Sequence, residues 1–193
     1  MHRFAAKCVP LAALFAVGFS TAALAHPGHG GGFAAGFTHP FTGLDHLLAM
    51  VAVGLWASQL ERPAIWTLPV VFPAMMALGA ALGTGGIVMP WIEMGILFSV
   101  VVLGAAVALQ VRAPIAIGAV LVAAFAVLHG YVHGAEVPAE GSAWIYGIGF
   151  VVATLILHGI GVGAGLMARR PLLMRTAGGA IAAAGLLLFV VQG

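Results

Sequence analysis

The chain has 193 residues, 63% of them hydrophobic and only 6% charged, with a formal net charge of +2. A mean hydropathy of +1.16 exceeds what a soluble domain of this size can hide, because a small globule has too little interior for it. Several apolar runs approach the ~20 residues that cross a bilayer, and the period-2 alternation of a β-barrel is absent. The chain therefore reads as an all-α polytopic membrane protein, with the lipid bilayer as partner and no basic patch for nucleic acid.

Residues 1–25 read as a cleaved N-terminal signal peptide. Arg3 and Lys7 give a positive start, Leu11 to Leu24 an apolar core, and Ala23-Leu24-Ala25 a small-residue cleavage site. Residue 26 lies outside the cytoplasm whether or not cleavage occurs. The one cysteine, Cys8, falls within the signal, so the mature chain offers no thiol for a disulfide or a metal. Imidazole, carboxylate, thioether and backbone remain, a set suited to Ni(II), Co(II) or Zn(II) rather than Cu(I) or an iron–sulfur cluster. His26-Pro27-Gly28-His29 would then begin the mature protein. A terminal amine with its own imidazole chelates a metal, and His29 can assist; the alternative is an ordinary Gly-rich tail.

A single domain over 26–193 is expected to hold six transmembrane helices, about 38–60, 64–83, 88–110, 113–134, 142–167 and 172–191. Arg62-Pro63, Gly83 to Gly86, Arg112-Ala113-Pro114, Glu136 to Ser142 and Arg169-Arg170-Pro171 separate them. Proline just inside a helix start wastes no amide donor. With residue 26 outside, Arg62, Arg112, Arg169, Arg170 and Arg175 all fall on cytoplasmic turns, as the positive-inside rule requires. This topology places the protein in the bacterial inner membrane with its mature N-terminus periplasmic. Gly79/Gly83 and Gly161/Gly165 have the small-xxx-small spacing of closely packed helices.

Against this background a few ionisable residues stand out. Each costs about 2.5–3.5 kcal/mol to insert at a helix centre and by default marks a functional site. His39, Asp45 and His46 lie at the outer end of the first helix. Glu93 lies at the outer start of the third, and His129, His133 and Glu136 at the outer end of the fourth. Three helices thus bring imidazoles and carboxylates to one depth. His129 and His133 share a helix face at i, i+4, and Glu136 extends the stripe. His39 and His46 would stand about 10 Å apart on an ideal helix, too far to share an ion unless Pro40 and Gly43 unwind the segment. Broken helices are a transporter device. Met50 continues the His46 face inward with a thioether. Asp45 is either a ligand or the group that orients an imidazole. His158 lies about 24 Å inward along the fifth helix, as a deeper relay or as a structural histidine.

The stretch His39-Pro40-Phe41-x-Gly43-x-Asp45-His46-x-Leu48-x-Met50-x-x-Val53-Gly54-Leu55-Trp56 resembles the signature of the HupE/UreJ family of nickel permeases. His129-Gly130-x-x-His133-Gly134-x-Glu136-x-Pro138 is similar to its second motif, and Leu157-His158 is familiar in the fifth helix. The resemblance covers essentially the whole chain. It implies uptake of Ni(II), with Co(II) in some relatives, for maturation of hydrogenase or urease. His39, Asp45, His46, Glu93, His133 and Glu136 would be transport residues, and Phe72 would line the path. One departure is Tyr131, where many members carry a histidine.

The function expected is that of a secondary permease, not an enzyme, that imports Ni(II) from the periplasm. The ion is substrate, no cofactor is permanently bound, and homo-oligomerisation is left open. No nucleotide-binding motif is present, so ATP is not the direct driver. The rival readings are an intramembrane zinc hydrolase using the same His/Asp/Glu set and a b-type cytochrome with haem between paired histidines.

Overall fold

The computed structural model describes residues 32–86, 89–135, 142–168 and 170–192. The expected signal peptide, His26, His29 and Glu136 lie outside the described residues. Seven helices occur among the described residues: α1 (Phe33–Thr42), α2 (Leu44–Gln59), α3 (Ala64–Thr84), α4 (Ile92–Ala108), α5 (Ile115–Ala135), α6 (Ala143–Met167) and α7 (Pro171–Gln192).

The expected single helix over 38–60 is instead two helices, α1 and α2, bent by 83°. The cause is local. Pro40 inside α1 contributes no N–H, and Gly43 is extended at φ −89°, ψ 113°. Gly43 ends α1 and begins α2. The third expected helix starts at Ile92 rather than 88, because Pro90 and a left-handed Trp91 (φ 70°) precede it. The remaining boundaries fall close to those expected.

Helices α3, α5, α6 and α7 are long and apolar enough to cross a membrane, and the α1–α2 pair is so when taken together as one bent span. Helix α4 is apolar but has only 17 residues, about 25 Å, short of the other spans.

Close approach of backbones holds the bundle together. On α3 and α5, running parallel, Gly130 abuts the Met76 carbonyl, Gly134 abuts Ala80, Gly79 abuts Val127 and Gly83 abuts Tyr131. A Cβ at any of these positions would strike helix backbone. Gly54 and Gly161 do the same between the parallel helices α2 and α6, and Gly104 and Gly178 between the antiparallel helices α4 and α7. Of the expected pairs, Gly79, Gly83 and Gly161 are at such contacts, while Gly165 packs on the Ser58 side chain. In lipid, this van der Waals fit replaces the hydrophobic drive of water. Trp66 near the start of α3, and Trp91 and Trp144 near the starts of α4 and α6, are 73%, 80% and 84% exposed, as in the aromatic belts of membrane proteins. The arginine turns 62, 112 and 170 share one end of the bundle, where Arg175 Nε also donates to Gln110 Oε1 at 3.4 Å.

Candidate functional site

At the other end, a cavity of about 260 Å³ opens between the start of α2, the start of α4 and the ends of α5 and α7. His39, Asp45, His46, Glu93 and His133 line it, together with Gln192 and the apolar Ile96, Leu97 and Val132. The bend at Gly43 makes this possible. It swings α1 back across α6, so that His39 rests on Tyr146 and Phe150 at ring distances of 6.1 and 5.8 Å. The His39 and His46 rings are then 6.0 Å apart. His133 closes the group at 4.7 Å from His39 and 4.6 Å from His46. His129, one turn inward on α5, packs 4.9 Å from His46.

Hydrogen bonds define which ring nitrogens are free. Asp45 Oδ1 lies 2.8 Å from His46 Nδ1 and also accepts the His46 backbone N–H at 2.9 Å. A carboxylate only accepts, so Nδ1 carries the proton and Nε2 keeps its lone pair. That Nε2 is buried and unpartnered. Asp45 is thus built as the orienting carboxylate of a carboxylate–histidine pair, and it also lines the cavity. On α4, the Ser99 hydroxyl donates to the Ile96 carbonyl at 2.6 Å, and its oxygen lies 2.9 Å from His129 Nε2. Having spent its one proton, Ser99 accepts from Nε2–H, so His129 Nδ1 is the lone-pair nitrogen. His129 Nδ1 and both His133 nitrogens are buried without partners. Buried polar groups are seldom left this way; here the orphans are imidazole nitrogens gathered in one place. Among the described residues, no three donors form a closed metal-ligand group. The rings are gathered and must turn to converge.

The expected site residues divide accordingly. His39, Asp45, His46, Glu93, His129 and His133 are brought together. Met50 is fully buried one turn inward of His46, in the core and off the cavity wall. Phe72 and His158 lie deeper, fully buried. Tyr131 turns away: its hydroxyl accepts the Met89 amide at 3.1 Å. Sequence reasoning missed Ser99 and Gln192. Each is a polar side chain within a mostly apolar helix, the only signal either one carries.

An α-helical multi-pass membrane protein with imidazoles and carboxylates gathered around a cavity at one end is the class that fold and site define. The chain belongs to the HupE/UreJ family: the model of the HupE / UreJ protein matches residues 13–188. It is 44% identical over 181 residues, 92% of this chain and 95% of the relative, to Protein HupE of Rhizobium leguminosarum bv. viciae. No solved structure matches it.

Proposed function

We propose that this protein is a secondary permease that imports Ni(II), with Co(II) as second candidate, from the periplasm across the inner membrane to supply hydrogenase or urease maturation. The observation that carries the reading, beside family membership, is the gathering of His39, His46 and His133 with Asp45 and Glu93 around one cavity, with His129 packed against His46 and the free nitrogens of His46, His129 and His133 unpartnered. Borderline nitrogen and oxygen donors suit these ions. Family membership favours transport over zinc hydrolysis with the same residues.

In this reading the α1–α2 pair and α4 complete six crossings, and the cavity faces outward because the arginine turns occupy the opposite end. His26 and His29 gather the ion, and Glu136, three residues past His133 in the sequence, is a further carboxylate ligand. Asp45 and Glu93 offset the ion's charge, while the imidazoles replace its water. The ion leaves through a wider cavity of about 730 Å³ at the arginine end, lined by Gln59, Glu61 and Arg112. Binding stays loose enough for release, and protonation of the same histidines assists it.

The test is radioactive nickel uptake by cells lacking other importers, with unlabelled Ni(II), Co(II) and Zn(II) as competitors. Expression of the protein is expected to raise uptake severalfold, with Ni(II) and Co(II) competing and Zn(II) doing so weakly. Uptake no higher than that of the empty vector would sink the reading. A Ser99→Ala variant is expected to lose about tenfold in uptake, the lower end of the effect of removing a hydrogen-bond partner from a liganding histidine. It keeps the backbone and frees the His129 ring to rotate. Unchanged uptake would show that His129 needs no such restraint.

A further inference from the structure

Polar groups continue inward past the outer cavity. The fully buried ring of Phe72 on α3 touches His129 at 5.7 Å and His158 of α6 at 5.1 Å. Neither nitrogen of His158 has a hydrogen-bond partner, although the residue is fully buried. One turn outward on the same face of α6, the Thr154 hydroxyl is also fully buried and unpartnered. A threonine in a helix readily turns its hydroxyl onto the carbonyl four residues back, and Thr67 does so onto Pro63. Thr154 does not.

A third polar atom comes from α3. Pro73 has no N–H, so the Pro69 carbonyl four residues earlier has no intrahelical donor. That carbonyl faces His158, off the line of a hydrogen bond to either ring nitrogen. Helix α2 adds a fourth. Gly54 packs on the His158 backbone and the two helices run parallel, so Met50, one turn outward, stands level with Thr154. His158 therefore lies about 12 Å inward of His46, eight residues at the helical rise.

We propose that His158, Thr154 and the Pro69 carbonyl, with the Met50 thioether beside them, form a second, inner station for a divalent transition-metal ion, separated from the outer cavity by the ring of Phe72. The proposal rests on the permease reading. Its donors are one imidazole, two neutral oxygens and a soft sulfur, with no carboxylate. Such a set prefers Ni(II) or Co(II) over Mg(II) or Ca(II). It also holds the ion more weakly than the outer site, which lets the ion pass on. Phe72 presents a π-face that tolerates a passing cation and keeps water from linking the two stations.

The competing role for His158 is that of a staple that donates to the Pro69 carbonyl. His158→Gln separates the two, because glutamine keeps an amide donor but is a poor ligand for these ions. The experiment is Co(II) titration of the full-length protein in lipid nanodiscs, followed by visible absorption and calorimetry, alongside nickel uptake in cells. The wild type is expected to show a tight and a weak class of site. His158→Gln is expected to lose the weak class, keep the tight class within about twofold, and lower uptake at least tenfold. Thr154→Val is expected to weaken the weak class severalfold. Retention of the tight class reports that a variant is folded, and if His158→Ala does not fold, His158→Gln carries the test. The inner station is overturned if His158→Gln keeps both the weak class and wild-type uptake, or if the wild type shows only the tight class. A wild type that binds no Co(II) and takes up no nickel overturns the permease reading and the inner station together.

Discussion

Replacing Asp45 with asparagine is expected to lower nickel uptake at least a hundredfold while leaving the amount of protein in the membrane unchanged. The side chains have nearly the same shape, so the packing around position 45 is kept. Two things change. The carboxylate charge that faces the cavity is lost, and with it the attraction for a divalent ion in a low-dielectric site. The proton on His46 is also no longer dictated. Asp45 Oδ1 now fixes it on Nδ1, leaving Nε2 as the ligand atom. A carboxamide can donate as readily as it accepts, so Nε2 can carry the proton and stop binding metal. Losing an orienting carboxylate alone costs about 10–100-fold, and the lost charge adds to it. The measurement is the initial rate of radioactive nickel uptake, normalised to protein in the membrane. A rate within twofold of wild type would mean that His46 is held by something other than Asp45.

An alanine at Gly130 is expected to destabilise the bundle by about 3 kcal/mol, the upper end of what overpacking costs, and to abolish uptake. Its Cβ would land on the Met76 carbonyl, which belongs to a helix and cannot rotate aside as a side chain can. Helices α3 and α5 must separate, and four glycines between them lose contact together. Gly130 follows His129 and stands three residues before His133, so the same shift moves both imidazoles away from His46. Gly163, whose added Cβ meets nothing within 4 Å, is the control: Gly163→Ala is expected to be neutral. Thermal unfolding in detergent, read by tryptophan fluorescence, checks the pair. Equal midpoints for the two variants would remove the close-packing account of α3 and α5.

Most of the helix boundaries were legible in the sequence because arginine, proline and glycine punctuate the apolar runs. The right-angle break was only half legible. Pro40 and Gly43 pointed to unwinding, but not to an additional helix starting at Phe33, because Phe33 to Thr38 carries no polar marker to separate it from a tail. The gathering of donors followed from counting residues inward from the outer face. The division of labour between Asp45 and His46 did not, since it depends on one side-chain torsion. Ser99 was illegible for a related reason. A serine in a membrane helix ordinarily bonds its own backbone, as Ser99 does with Ile96, and its second role needs α5 alongside. Met50 has the spacing of a cavity residue, yet α2 is packed on several sides by α3, α4, α6 and α7, so sharing a face with His46 does not bring it to the cavity.

The right-angle joint at Gly43 gives the outer imidazoles unequal freedom. His46 is tied to Asp45 and His129 to Ser99, while His39 rides on α1, about 6 Å from the joint along the helix rise. A rotation of about 10° at Gly43 would move the His39 ring by about 1 Å, and α6 with it, because Gly36 abuts the Tyr146 carbonyl and Gly149 abuts that of Phe33. A jaw of this kind has one fixed side and one moving side. It closes on an ion only if α1 and α6 turn together as one piece.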